Sequence, residues 1–324
     1  RREQPFRALI NAVLRRVSEN GVPEPAPSDL PDWMTQGWQD AYGAAETASI
    51  ETVLRQTPPL DLQFRDADAL QKWQAENPDT GHALTPTCLR LAATGDVTRL
   101  PGFDAGTWWV QDISATLAAP LLNAGVGNRV LDLCAAPGGK TLQLAALGAH
   151  VQALDQSENR LKRLKSNLAR TGLAAETIVA DLVDWTPPQR YDRVLLDAPC
   201  SATGTIRRHP DLPLHRRRGD IEKSATLQRL LLDRAATATA SDGILVYCVC
   251  SLEPTEGEAI ADAFLNAQPD FDLQPISAAD LPPALAVAAT STGYLRTTPA
   301  VLGDVGGCDG FFAARFHRKA TPSM

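Results

Sequence analysis

Two cysteines sit where apolar runs give way to polar loops. Cys200 lies in "LLDAPCSATGTIRRHPD" (195–211) and Cys250 in "YCVCSLEPTEGE" (247–258). A thiol near a strand end can be buried filler, a metal ligand, half of a disulfide or a nucleophile. No pair of C-x-x-C motifs is present and the five histidines are scattered, so no metal site is expected. Six cysteines in 324 residues are too sparse for a disulfide scaffold, so reduced thiols are expected.

A second group of residues suits a ligand. "LDLCAAPGGKT" (131–141) follows an apolar run and opens a helix. Gly138 and Gly139 let backbone approach a ligand, and a helix start offers unpaired amides. The segment is neither G-x-x-x-x-G-K-[ST] nor G-x-G-x-x-G, which disfavours a phosphate loop or a dinucleotide site. Asp155 ends the next apolar run, about 20 residues on, where an acid is placed to bind a ribose diol. Asp181 ends the third run and could reach an adenine amino group. Together they suit an adenosine without phosphate, such as S-adenosylmethionine; read singly, each Asp could be only a helix cap.

These residues need a scaffold that brings strand ends together. Strand candidates are 129–134, 150–155, 177–181, 191–197 and 243–250, with amphipathic helices between them. Such alternation predicts an α/β fold with a mostly parallel, Rossmann-like sheet, and the final "GCDGFFAARFHR" predicts an antiparallel edge strand. Ligands in open sheets of this kind bind beyond the carboxyl ends of the strands, where every motif above lies. The fourth and fifth strands are expected to be neighbours, so Cys200 and Cys250 could face each other across one cleft. Cys248, alternating with Cys250, is expected to face the opposite way as a buried structural thiol. Cys134 would contribute backbone only, and Cys88 and Cys308 read as filler.

Upstream, "PFRALINAVLRRVSENG" carries apolar residues at helical spacing and ends at Gly21; its apolar face must pack on something. Four prolines between 21 and 33 predict an extended connector. Residues 34 to about 120 read as mixed α and β, with a helix capped by Asp66 and a short strand at "TWWVQD". The composition, 44% hydrophobic and 21% charged, is that of an ordinary soluble protein. No apolar run approaches a membrane span and no signal-peptide pattern is seen, so a cytoplasmic location is expected. The net charge of −7 argues mildly against a nucleic-acid partner. However, "RRHPDLPLHRRRGD" (207–220) is locally basic.

Four motifs in order carry a family resemblance: "DLCAAPGGKT", "DAPCSATGTIRRHPD", "CSLEPTEGE" and "DGFFAARF". They resemble the RNA cytosine-5 methyltransferases of the RsmB (Sun/Fmu) type. "LINAVLRR" resembles the last helix of the NusB-like domain of that subgroup, and "FDAGTWWVQDISATLAAPLL" the lead into its catalytic domain. The likeness runs from about residue 8 to residue 316. It implies the C-terminal helix of a truncated NusB-like domain at 1–20 and a linker with a helical segment at 21–53. A small α+β RNA-binding subdomain would span 54–120, the methyltransferase domain 121–318 and a tail 319–324.

The resemblance also implies roles. Cys250 would be the nucleophile that adds to cytosine C6, and Cys200 would assist release of the methylated RNA. Asp197 would contact the cytosine N3/N4 edge and line the cofactor site. Cofactor contacts carry over to Cys134, Ala135, Ala136, Pro137, Gly138, Gly139, Lys140, Asp155 and Asp181. Arg207, Arg208, Arg216, Arg217 and Arg218, beside the cleft, are expected to contact RNA phosphates. The implied substrate is an unstacked cytosine in RNA, small-subunit 16S rRNA by the N-terminal likeness, and the chain is expected to be a monomer. A tRNA cytosine-5 methyltransferase and a non-catalytic RNA-binding assembly factor are the alternatives. One departure from the family pattern is Val249 where the family usually has Thr.

Overall fold

A computed structural model describes residues 6–21, 30–92 and 95–320. The expectations for most of the Pro-rich connector, for residues 1–5 and for the end of the tail fall outside these described residues.

Helix α1 (Arg7–Asn20) ends at Gly21, whose φ of 75° is the left-handed conformation that stops a helix. Its apolar residues are all exposed, so the packing expected of this face is not seen among the described residues. Helices α2 (Asp32–Tyr42) and α3 (Ala44–Leu54) follow. They bury Met34, Trp38 and Ile50 against Ile206 and Leu252. Trp38 Nε1 also donates to Glu253 Oε1 at 3.0 Å, so α2 braces the loop that follows Cys250.

The next elements are β1 (Leu60–Phe64), α4 (Ala67–Glu76), β2 (His82–Thr85), β3 (Cys88–Leu91) and β4 (Trp108–Val110). The strands form an antiparallel sheet in the order β2-β3-β1-β4. Asp66 caps α4 as expected, accepting from the Ala69 amide. Arg90 of β3 makes a buried bidentate pair with Asp61 of β1 and donates to the carbonyls of Val305 and Gly307. The small sheet is thereby tied to the C-terminal segment.

The main sheet uses β5 (Arg129–Leu133), β6 (His150–Asp155), β7 (Glu176–Val179), β8 (Tyr191–Asp197) and β9 (Thr239–Val249). Their connections are α5 (Gly139–Ala146), α6 (Glu158–Thr171), then α7 (Leu212–His215) and α8 (Arg218–Ala238). Helix α9 (Glu258–Ala267) leads to β10 (Phe271–Leu273), β11 (Leu295–Thr297) and β12 (Phe311–Arg318). The order is β10-β12-β9-β8-β5-β6-β7, and β5 to β9 are all parallel. This is the expected Rossmann-like sheet, with β8 and β9 adjacent.

One expectation is corrected. Strand β12 is antiparallel to β9 but is not the edge, because β10 and β11 both pair with its far side. Phe311 to Phe316 are all buried, as befits a strand inside the sheet rather than at its rim.

The strand order reverses between β5 and β8, and a crevice opens at their carboxyl ends. Along β9 the pleat divides two apolar layers. Leu245, Tyr247 and Val249 pack with α8 and α9, while Ile244, Val246 and Cys248 pack with Leu144 of α5 on the other face.

Candidate active site

A cavity of about 300 Å³ lies at the strand reversal. Its wall brings together Cys134 after β5, Asp155 at the end of β6, Asp181 after β7, Asp197 at the end of β8, and both Cys200 and Cys250. Residues spread over more than a hundred positions of sequence thus converge as the parallel sheet requires. Leu182, Val183, Leu227 and Leu231 supply apolar walls.

The Gly-rich turn borders the cavity unevenly. Of residues 134–140, only Cys134 lines the cavity. Gly138 has φ 111°, and a Cβ there would come 2.8 Å from Leu164 of α6, so this glycine fits the turn against that helix. Ala135 and Ala136 are buried. Burial pushes the Cys134 thiol up to about 12, so it stays protonated.

Asp155 is almost fully buried and holds this turn from below. Its Oδ2 accepts from the Ala136 amide at 3.1 Å and lies 3.3 Å from Arg160 Nη1, while Oδ1 accepts from the Ser157 amide. Arg160, unanticipated from the sequence, also donates to the Ala136 carbonyl. The spacing was readable: it is the third residue after the N-cap Ser157, one turn from Asp155. Asp181 is exposed and accepts from the Val183 amide at 2.9 Å.

Lys140 does not line the cavity itself but reaches Asp197, which does, with Nζ 2.8 Å from Oδ2, and stacks over Phe311. Burial pushes the ammonium pKa down, but the Asp197 carboxylate beside it outweighs this and holds Lys140 charged. Lys140 therefore holds Asp197 in place.

The Cys200 and Cys250 sulfurs are 3.5 Å apart as free thiols. Cys200 arrives on the loop after β8 and packs against the α8 side; Cys250 arrives after β9 from the α5 side. The hydrogen bond to Cys250, with burial, pushes the Cys200 thiol well above its ordinary pKa. Cys200 therefore keeps its proton beside Cys250.

Cys248 is corrected. It is buried, as expected, but it shares the face of Cys250, because side chains two apart in a strand point the same way. It is Val249 that faces oppositely, into the layer of Tyr247 and Phe312. The Cys248 thiol also lies 3.5 Å from Asp197 Oδ1.

The arginines divide. Arg207 is not at the surface: its guanidinium bridges Asp112 and Asp309 at 2.7 Å each and is buried. Arg208 pairs with the same two acids. These acids come from distant segments, so the sequence held no sign that they would neutralise the pair. Arg207 is enclosed, whereas Arg208 keeps a partly exposed side chain. Arg216 donates to the Ser201 carbonyl at 2.9 Å, while Arg217 and Arg218 are exposed beside it. Among the described residues no cluster of three metal-ligating side chains occurs, and no helix is long and apolar enough to cross a membrane.

Sheet order and crevice define a Rossmann-like methyltransferase fold. Two solved structures share it: a methyltransferase homolog protein from Pyrococcus horikoshii and NSun6 from Pyrococcus horikoshii with SFG. The first has a TM-score of 0.72 and 24% identity, covering 95% of this chain and 99% of that one. The second has a TM-score of 0.74 and 18% identity, covering 90% and 99%. A family model described as 16S rRNA methyltransferase RsmB/F matches residues 119–317. Ribosomal RNA small subunit methyltransferase B of Citrobacter koseri is 40% identical over 286 residues, 83% of this chain and 67% of that protein. Its counterpart in Salmonella arizonae is 38% identical over 332 residues, 97% and 74% respectively. The chain belongs to the 16S rRNA methyltransferase RsmB/F family, and it is a methyltransferase.

Proposed function

We propose that the chain methylates cytosine C5 in small-subunit ribosomal RNA, with S-adenosylmethionine as donor and Cys250 as covalent catalyst. The observation that carries this is the Cys200–Cys250 sulfur pair, 3.5 Å apart, on the wall of the cavity that also holds Asp155, Asp181 and Asp197. The cavity fits the donor in kind. Two carboxylates at successive strand ends suit a ribose diol and an adenine amino group, and the leucine walls suit an apolar ring. Nothing in the turn demands a phosphate. The donor, when bound, supplies an electrophilic methyl group.

Cytosine C5 is a poor nucleophile. Addition of the Cys250 thiolate to C6 forms an S–C6 bond and makes C5 enamine-like, so C5 can take the methyl group. Removal of the C5 proton then breaks the S–C6 bond and returns the thiolate. Cys200, held protonated beside Cys250, is placed to assist that elimination. Asp197, oriented by Lys140, is placed to meet the N3/N4 edge and balance charge building on the ring. The target base must leave its stack to enter such a cavity, so an unpaired cytosine is the substrate. Arg216, Arg217 and Arg218 line the approach and would hold the backbone.

The test is transfer of labelled methyl from S-adenosylmethionine to unmodified small-subunit rRNA fragments, with tRNA in parallel. Cys250→Ala should transfer none. Cys200→Ala should accumulate an RNA adduct that survives denaturation. Methylation of C5 by Cys250→Ala would refute the assignment, and methylation of tRNA alone would move the substrate.

A further inference from the structure

The two cysteine loops hang from one buried carboxylate that the mechanism above does not use. Glu256, six residues beyond Cys250, is fully buried. Its Oε1 accepts from the Ser201 amide at 2.9 Å and from Gln228 Nε2 of α8 at 3.1 Å. Its Oε2 accepts from the Ser201 hydroxyl and, at 2.5 Å, from the Ser251 hydroxyl. Ser201 directly follows Cys200, and Ser251 directly follows Cys250. The residue after each reactive thiol is thus fastened to the same anion. The two hydroxyls are also 3.2 Å from each other, and Gln228 further donates to the Pro199 carbonyl on the Cys200 loop. The main-chain carbonyl of Glu256 accepts from the Tyr247 hydroxyl of β9 at 2.6 Å, which seats the group on the sheet.

We propose that Glu256 is a positioning residue that sets the spacing of the Cys200 and Cys250 thiols and so governs release of the RNA adduct. The proposal rests on the cysteine roles argued above. Four donors converge on two oxygens, and hydrogen bonds to a charged acceptor are about twice as strong as neutral ones. Glutamine keeps the shape but replaces one oxygen with an NH₂ group, which cannot accept. Either the two serine hydroxyls or the Ser201 amide and Gln228 then lose their acceptor. The loops lose their common anchor, and Cys200 drifts from the sulfur it must serve. Addition of Cys250 to C6 needs only one of the two loops, whereas elimination needs both. The release step should therefore suffer more than the addition step.

The experiment uses the full chain, S-adenosylmethionine and a small-subunit rRNA fragment, with wild type, Cys200→Ala, Glu256→Gln and Ser251→Ala. It reads melting temperature, kcat, KM for RNA, and the fraction of RNA held as a denaturation-resistant adduct. Glu256→Gln is expected to lower kcat by roughly tenfold or more, as displacement of a reacting group does, with KM little changed. It should also hold an adduct fraction between those of wild type and Cys200→Ala. A loss that merely follows the folded fraction, with no adduct, would overturn the proposal, as would wild-type kinetics. If Glu256→Gln does not fold, Ser251→Ala, which frees only one loop, must show the same adduct in milder form. An adduct with Cys200→Ala but not with the Glu256 or Ser251 variants rejects the clamp alone. Absence of adduct even with Cys200→Ala rejects the cysteine roles, and the clamp with them.

Discussion

Lys140 Nζ and Asp197 Oδ2 lie 2.8 Å apart at the reversal of the strand order, and they are unequally buried: the lysine side chain is 11% exposed and the aspartate 33%. The inequality makes the pair's two truncations differ. Asp197→Ala leaves an ammonium enclosed without its main partner, which should cost about 3 kcal/mol or more. Lys140→Met leaves a carboxylate that water can reach, which should cost about 1 kcal/mol. Urea unfolding of both variants checks the order. Equal losses would show that the pair is effectively solvated.

Asp132 gives a pH signature. It is fully buried on β5, with Thr141 Oγ1 donating to its Oδ2 at 2.6 Å, and its Oδ1 has no partner. Burial pushes its pKa from 3.8 up to about 7, against the pull of Thr141. Above about pH 4 the unfolded chain releases this proton while the folded chain keeps it. The unfolded state then binds fewer protons, so this group makes stability fall as pH rises, until about pH 7. Asp132→Asn removes that dependence. The stability of the variant relative to wild type should therefore rise between pH 4 and 7.5, by up to about 4 kcal/mol. A constant difference across urea midpoints at those pH values would show that Asp132 is ionised in the fold.

Much of this was legible in the sequence, because strand ends in an alternating α/β chain must meet at one edge. That placed Asp155, Asp181, Asp197, Cys200 and Cys250 around one crevice, and the cavity contains all five. What was not legible depends on contacts between distant segments. Arg207 read as a surface cation because Asp112 and Asp309, which enclose it, lie 95 and 102 residues away. Glu256 drew no reading from the sequence, because its partners come from the loops after β8 and β9 and from α8. Strand β12 was misplaced because β10 and β11, each of three residues, leave almost no period to detect. The error over Cys248 was of another kind. The two-residue period itself puts it on the face of Cys250.

The arginines now separate into two tests. Arg207→Met would leave Asp112 and Asp309 buried with less cation than they need, at a cost of about 3–5 kcal/mol. Its melting temperature should fall sharply. Arg217→Ala with Arg218→Ala removes two exposed charges and should leave stability nearly unchanged. If both touch phosphate of single-stranded RNA, the slope of log K against log salt should flatten by about 1.4. Filter binding across a salt series reads this, and an unchanged slope would remove both from the RNA path.

Val249 stands where the family resemblance implies threonine, and placing threonine there has a definite consequence. The side chain is fully buried on the α8–α9 face, opposite Cys250. Its neighbours in that layer are apolar or already committed: the Tyr247 hydroxyl donates to the Glu256 carbonyl. A threonine hydroxyl there would lose its water with no evident acceptor, at a cost of about 1–3 kcal/mol. It points away from Cys250, so it cannot orient that thiol directly. Val249→Thr should therefore lower the melting temperature while leaving kcat per folded molecule close to wild type. A faster enzyme with unchanged stability would show that the layer shifts to let the hydroxyl reach the Cys250 loop.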